Sequence, residues 1–110
     1  MQHLSQSKIL EIYQTSEGKK PFVDWLEDLD DKTRFRVKER LDRVSLGNLG
    51  DWKTVGKGVF ELRLSFGSGY RIYYGQADKT IIILLSGGDK SKQKTDIKKA
   101  QVYWKDYLER

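Results

Sequence analysis

The stretch Val59-Phe-Glu-Leu-Arg-Leu-Ser-Phe66 decides the fold, because its apolar and polar side chains alternate. Successive side chains of a β-strand point to opposite faces of a sheet, so a period of two predicts a half-buried strand. One face is expected to bury Phe60, Leu62, Leu64 and Phe66. The opposite face would then carry Val59, Glu61, Arg63 and Ser65. The stretch therefore predicts a sheet with an apolar side and a partly charged side.

Two more strands follow at short spacing. The turn Gly67-Ser-Gly69 leads into a strand over Tyr70 to Gly75, and Ala77-Asp-Lys79 leads into the apolar run Ile81 to Leu85. Because consecutive strands joined by short turns usually pair with each other, the three strands predict an antiparallel meander. The segment Ser86-Gly-Gly-Asp89 is expected to end it.

The first half of the chain predicts one strand and two helices. Lys8 to Gln14 is rich in β-branched and aromatic residues, which favours an opening strand. Pro21 suits the first position of a short amphipathic helix. The segment Asp30-Asp-Lys-Thr33 supplies polar breakers and candidate N-caps for a second helix, in which Val37, Leu41 and Val44 fall at helical spacing before Gly47 stops the run.

The remaining segments complete the predicted fold. Gly47 to Gly58 predicts a loop, and helical periodicity returns from about Lys92 to Leu108. The order β-α-α-β-β-β-α predicts an α+β class, with an antiparallel meander packed against helices on one sheet face. With 110 residues, the chain is expected to form a single domain over 1–110.

The charge of the chain is positive and unevenly distributed. Lys and Arg number 21 against 16 Asp and Glu, for a formal net charge of +5. Residues 1–50 hold 9 basic and 9 acidic side chains, whereas residues 51–110 hold 12 and 7. The second half therefore carries the whole excess, which favours a polyanionic partner without identifying one.

Several functional classes conflict with the composition. The chain has no cysteine, which excludes disulfides, thiolate zinc sites and a cysteine nucleophile. His3 is the only histidine, and no spacing of His, Asp and Glu indicates a metal site, so neither metal-dependent hydrolysis nor a Ser-His-Asp triad is expected. No cofactor is expected either. The short apolar runs and the polar start predict a soluble cytoplasmic protein without membrane segments.

The charged side of the predicted sheet is the candidate site. Arg63, Arg71 and Tyr73 would emerge there from neighbouring strands as candidate catalytic residues, and a basic loop would supply Lys90. Further lysines would bind RNA phosphates, namely Lys53, Lys57, Lys92 and Lys94. Positive charge with an aromatic platform suits single-stranded RNA. In metal-free phosphodiester chemistry, arginines would stabilise charge while a lysine or tyrosine moved protons.

Each of these interpretations has a structural alternative. Glu61, the one carboxylate of this surface, is either a base or an ion-pair partner of Arg63 or Arg71. The lysines at 90, 92 and 94 are either a phosphate-binding loop or a solvated one. The charged flank of the second helix is either a solvated face or a phosphate contact; it comprises Arg34, Arg36, Lys38, Glu39, Arg40, Asp42 and Arg43.

Four motifs occur in a recognisable order: Gly58-Val-Phe-Glu-Leu-Arg-Leu64, Gly69-Tyr-Arg-Ile-Tyr-Tyr74, Leu84-Leu-Ser-Gly-Gly-Asp-Lys-Ser-Lys-Gln93 and Asp96-Ile-Lys-Lys-Ala100. With the Phe22 to Leu26 helix, they make the chain resemble the RelE/ParE toxin superfamily. Among its branches the chain is most similar to the phage-related, HigB-like "addiction module killer" proteins. The resemblance implies a RelE-like, microbial-RNase-like fold over nearly the whole chain.

The resemblance also implies a chemistry. In this family the 2′-hydroxyl of mRNA attacks the adjacent phosphate in the ribosomal A site, without a metal. Arg71 matches the arginine of the Gly-Tyr-Arg strand and would stabilise charge, so Arg71→Ala is expected to fold but lose toxicity. Lys90 and Lys92 match the basic loop after the last strand. Ser65 departs from the family, since RelE often has arginine near this position. The C-terminal catalytic tyrosine or histidine of the family has no clear counterpart either, because Tyr103 and Tyr107 lie further along.

Three functions follow as alternatives. The first is a ribosome-dependent endoribonuclease toxin that inhibits translation and is neutralised by a cognate antitoxin, of helix-turn-helix type in this branch. The second is a ParE-like inhibitor of DNA gyrase. The third is a non-catalytic basic module that binds RNA or a partner protein. Mapping mRNA 5′ ends after the protein is induced in cells would separate the three functions.

Overall fold

A five-stranded sheet in the order β1-β5-β4-β3-β2 organises the chain. The computed structural model describes residues 6–110, so His3 lies outside the described residues. The strands are β1 (Ile9–Ile12), β2 (Trp52–Thr54), β3 (Val59–Arg63), β4 (Arg71–Asp78) and β5 (Ile81–Gly88). Strands β2 to β5 are antiparallel, whereas β1 pairs in parallel with β5. The sheet is therefore mixed.

Three helices accompany the sheet. They are α1 (Pro21–Glu27), α2 (Asp31–Ser45) and α3 (Gln93–Leu108), with a short 3₁₀ turn at Lys90–Lys92 before α3. Pro21 begins α1 as expected, and the Asp30 side chain caps α2 by accepting a bond from the Thr33 amide. Within residues 6–110, no helix is both long and apolar enough to cross a membrane. The result is a small α+β single domain.

The predicted meander is confirmed as β3, β4 and β5, with different bounds: the strand predicted over Val59 to Phe66 ends at Arg63, and the one predicted over Tyr70 to Gly75 runs from Arg71 to Asp78. The predicted loop before β3 contains β2, whose residues pair with β3. The glycines expected to end the meander belong to β5, because Gly87 and Gly88 pair with Ile72 and Arg71 of β4. Gly87 has a packing role: a Cβ there would collide with the Trp25 ring. Glycine thus lets α1 approach the sheet closely.

The prediction that the helices cover one sheet face is wrong, because both faces are covered. Helices α1 and α2 pack on the face that carries Leu62, Ile72 and Leu84. Helix α3 packs on the opposite face through Ala100 and Trp104. The uniformly apolar β5 run, with Ile82 and Leu84 on one side and Ile83 and Leu85 on the other, reflects this two-sided burial.

Candidate functional site

Polar side chains form two adjoining rows across the α3 side of the sheet. Glu61 of β3 lies opposite Tyr73 of β4, which lies opposite Ser86 of β5. Two residues further along β3, Arg63 lies opposite Arg71 of β4. We call these five residues the polar cluster. The strand register alone brings them together, because residues directly opposite in a sheet share a face.

Glu61 is the centre of the polar cluster and is completely buried. Its Oε1 lies 3.3 Å from Nε of Arg63, and its Oε2 lies 3.4 Å from Nε of Arg71. Gln93, from the first turn of α3, donates a hydrogen bond of 3.0 Å to Oε2. The interpretation of Glu61 as an ion-pair partner is therefore confirmed, and the carboxylate of the pair is buried. A carboxylate without these partners would be costly to bury at this position.

The two arginines differ in what they offer to solvent. The Arg71 side chain is 10 % exposed, and its Nη1 donates a hydrogen bond of 2.6 Å to the Gly69 carbonyl. The Arg63 side chain is 41 % exposed. Arg63 is thus the guanidinium that an incoming phosphate can reach, whereas Arg71 holds Glu61 and the β3–β4 turn. This changes the expectation that Arg71→Ala folds normally, because the variant would leave Glu61 with one arginine.

The prediction that Tyr73 forms an exposed aromatic platform is wrong. Tyr73 is completely buried beneath α3, in the same cluster as Val59, Leu85 and Trp104. Burial and the negative charge of Glu61 raise the pKa of its hydroxyl above the usual range. Among the described residues, neither this hydroxyl nor that of Ser86 has a hydrogen-bond partner. The alternation in β4 placed Tyr73 on the correct face, but that face is covered by a helix.

The predicted lysines lie in two places. Lys90 is beside the polar cluster: a Cβ on Gly69 would be 3.2 Å from both Lys90 Cβ and Arg71 Nη1. Lys53 is exposed and lies opposite Glu61 on the edge strand β2. Lys92 and Lys94 are exposed beside Lys90, where the three line a shallow groove. Lys57 lies elsewhere, in the turn after β2, next to Lys98 and Lys105 of α3.

The segment predicted as a basic loop is a capped turn. Asp89 accepts hydrogen bonds from the amide and hydroxyl of Ser91. These bonds lower the pKa of the Asp89 carboxyl. The turn leads directly into α3, so the lysines are carried on defined backbone rather than on a mobile loop.

Two acidic or amide residues of α3 were missed in the sequence. Gln93 contacts Glu61, as described, and Asp96 lies against Gly88, where a Cβ would collide with the Asp96 carboxylate. Burial raises the pKa of the Asp96 carboxyl, while Lys99 and Lys92 oppose the rise. Neither residue follows from strand periodicity, because its position depends on where α3 crosses the sheet. A polar residue on the buried side of a predicted helix was the available signal.

The family of the chain follows from comparison with known proteins. Residues 24–104 match the family described as "Phage derived protein Gp49-like (DUF891)". The chain belongs to this Gp49-like family. An uncharacterised protein of Haemophilus influenzae is 43 % identical over 82 residues, which cover 74 % of this chain and 83 % of that protein. The range that matches the family, residues 24–104, contains α2, the whole meander and the polar cluster. Membership of the Gp49-like family is consistent with a toxin-like protein.

Proposed function

We propose that this Gp49-like protein is the toxin of a type II toxin–antitoxin system and a metal-independent endoribonuclease that cuts ribosome-bound mRNA. One observation carries the proposal: the buried Glu61 holds the partly exposed Arg63 and also Arg71, and the Arg71 guanidinium approaches Lys90 at the Gly69 turn. Two motifs that resemble the RelE/ParE superfamily meet at this point. In the same proposal, the protein acts in the cytoplasm and is neutralised by a helix-turn-helix antitoxin.

The proposed reaction is an internal transfer at phosphorus. The 2′-oxygen of the RNA forms a bond to the adjacent phosphorus, and the bond from phosphorus to the 5′-oxygen breaks. The products are a 2′,3′-cyclic phosphate and a 5′-hydroxyl. Arg63 would stabilise the charge that develops on the phosphoryl oxygens. Lys90 would protonate the leaving 5′-oxygen, and the proton of the 2′-hydroxyl would pass to solvent.

The other residues support this step in the proposal. Arg71 is a positioning residue, because it fixes Glu61, which in turn fixes Arg63. Lys53, Lys92 and Lys94 would bind neighbouring phosphates of the strand. Proton transfer is assigned to Lys90 rather than to Tyr73, since Tyr73 lies beneath α3. Lys57 would contact RNA only beyond the reacting phosphate.

The test is to induce the protein in cells and map the 5′ ends of mRNA. We expect in-frame cuts inside translated codons, which bear 5′-hydroxyls, and we expect Arg63→Gln to abolish them. Lys79→Gln is the matched control, because Lys79 is exposed and lies in the β4–β5 turn. Intact mRNA with DNA-damage signalling would replace this proposal with gyrase inhibition. Intact mRNA with normal growth would leave a non-catalytic binding module.

A further inference from the structure

Besides the polar cluster, a second basic site lies at the end of β3, on the side of α2. It is a cleft of about 300 Å³ between α2, the segment before β2 and the end of β3. We call it the arginine cleft, after four lining residues: Arg36, Arg40, Arg43 and Arg63. Two carboxylates, Glu39 and Asp51, also line it. Four positive charges against two negative leave a net positive cleft.

Arg40 is the buried member of the arginine cleft. It is 7 % exposed, and its Nη2 donates a hydrogen bond of 2.5 Å to the Leu49 carbonyl. Burial and the neighbouring Arg43 lower the pKa of Arg40, and Asp51 only partly opposes this. Gly50 has a φ of +63°, and a Cβ there would lie 2.6 Å from Arg40 Nη2. The loop is thus shaped around a buried guanidinium.

Of the four arginines of the cleft, only Arg63 has an ion-pair partner within the described residues, namely Glu61. Ion pairs in residues 6–110 join Arg34 to Asp31, Arg63 and Arg71 to Glu61, and Arg110 to Asp106. Arg36, Arg40 and Arg43 therefore have no carboxylate within ion-pair distance there. Their spacing places them on one face of α2, where like charges destabilise a helix. An anion between them would remove this repulsion.

Arg36 adds an aromatic surface to the arginine cleft. Its guanidinium carbon lies 4.1 Å from the centre of the Phe66 ring. Stacked guanidinium and aromatic planes are surfaces on which nucleobases also stack. The paired N–H groups of arginine match phosphate as well as carboxylate, but the Phe66 ring beside them suits a strand that carries a nucleobase next to each phosphate.

We propose that the arginine cleft binds the phosphate backbone of the same RNA strand that passes the polar cluster. This inference rests on the proposed function. Arg63 belongs to both sites, so it marks the point where the strand would pass from one side of β3 to the other. The RNA would then be held at two places around the reacting phosphate.

The test uses the full chain and a short single-stranded RNA with 2′-O-methyl riboses, which cannot be cleaved by 2′-hydroxyl attack. The test variant is the double substitution Arg36→Gln with Arg43→Gln, since both residues are exposed and neither is needed for the core. The matched control is Lys32→Gln with Lys38→Gln, which removes the same charge from α2 outside the cleft. Fluorescence anisotropy gives the dissociation constant at several salt concentrations, and circular dichroism checks folding.

We expect the arginine variant to bind RNA about tenfold more weakly than the control variant. Its plot of log affinity against log salt should be shallower by roughly 0.7 for each phosphate that the variant no longer neutralises. Equal affinity and slope in the two variants would overturn the inference. The inference would also be overturned if inorganic phosphate displaced the RNA at a concentration equal to that of the RNA phosphates, because the cleft would then be a site for free phosphate. Polyglutamate is the second competitor. If it displaces the RNA from the wild type but not from the arginine variant, the cleft fits an acidic protein partner, and the inference is overturned.

The result also separates this inference from the proposed function. If the wild type cuts mRNA and binds the methylated RNA, while the arginine and control variants bind equally, only the arginine cleft is refuted. If the wild type binds no methylated RNA but still cuts mRNA in cells, the inference fails and the proposed function stands; if it neither binds RNA nor cuts mRNA, both fail.

Discussion

At the residue scale, the buried ion pair of Glu61 with Arg71 has the largest consequence. Arg71→Ala removes a partner from a carboxylate that is completely buried, which costs about 3–5 kcal/mol in comparable pairs. We expect urea denaturation to show this loss. The double variant Glu61→Gln with Arg71→Ala should recover part of it, because the buried carboxylate is gone and the charge that loses its partner, Arg63, is partly exposed to solvent. Unchanged stability of Arg71→Ala would contradict the role assigned to Arg71, and lost toxicity alone would not prove a catalytic one.

A second residue-scale prediction concerns pH. Burial raises the pKa of the Asp96 carboxyl in the folded chain, so the folded state binds the proton more tightly than the unfolded state. Stability is therefore lost as pH rises above the unfolded value of about 3.9. We expect Asp96→Asn to raise the melting temperature at pH 7, with the gain disappearing near pH 3. A melting temperature that is unchanged or lower at pH 7 would contradict this.

Asp106 provides the opposite control for that measurement. The hydrogen bond from Tyr13 and the contact with Arg110 lower the pKa of the Asp106 carboxyl. Its contribution to stability is present above the unfolded pKa and is lost as pH falls through the folded pKa. Asp106→Asn should therefore lower the melting temperature at pH 7, in the direction opposite to Asp96→Asn.

At the element scale, glycines set how closely the helices approach the sheet. A Cβ on Gly75 of β4 would collide with the Trp104 ring of α3. Since Gly75 has no left-handed backbone to strain, Gly75→Ala tests this packing alone. We expect a destabilisation of about 1–3 kcal/mol from overpacking. The neighbouring exposed position provides the control, and Gln76→Ala should stay near wild type in the same denaturation experiment. Equal stability of the two variants would contradict this prediction, because it would show that α3 can shift away from the sheet without a loss of stability.

At the scale of the whole molecule, two apolar clusters share one sheet. Leu62 belongs to the cluster beneath α1 and α2, and Leu85 belongs to the cluster beneath α3. Both side chains are completely buried, so Leu62→Ala and Leu85→Ala should each cost about 2–5 kcal/mol. We expect each substitution to shift one common unfolding transition, because the strands between the clusters belong to both.

Single-tryptophan variants would show whether the transition is common. Trp25 packs against the first cluster and Trp104 belongs to the second, so each reports on one side of the sheet. Coincident fluorescence transitions in the Leu85→Ala background are the expected result. An earlier transition at Trp104 would mean that α3 unfolds separately.

The sequence by itself determined the local structure and the order of the strands in the meander. Alternation over Val59 to Phe66 placed Glu61 and Arg63 on one face, and short turns were enough to predict the meander. Proline and the Asp30 cap located the first two helices. These features could be predicted because periodicity, caps and turns act between residues a few positions apart.

Only the tertiary structure decided what covers each face. The charged face of β3 and β4 looks exposed from the sequence, but α3 crosses it and buries Tyr73 and Glu61. The same packing brings Gln93 to Glu61, and the fold of the β2 loop against α2 buries Arg40. These outcomes depend on contacts between residues distant in the chain. Periodicity specifies that a face exists, whereas the path of the chain determines whether solvent or a helix lies against it.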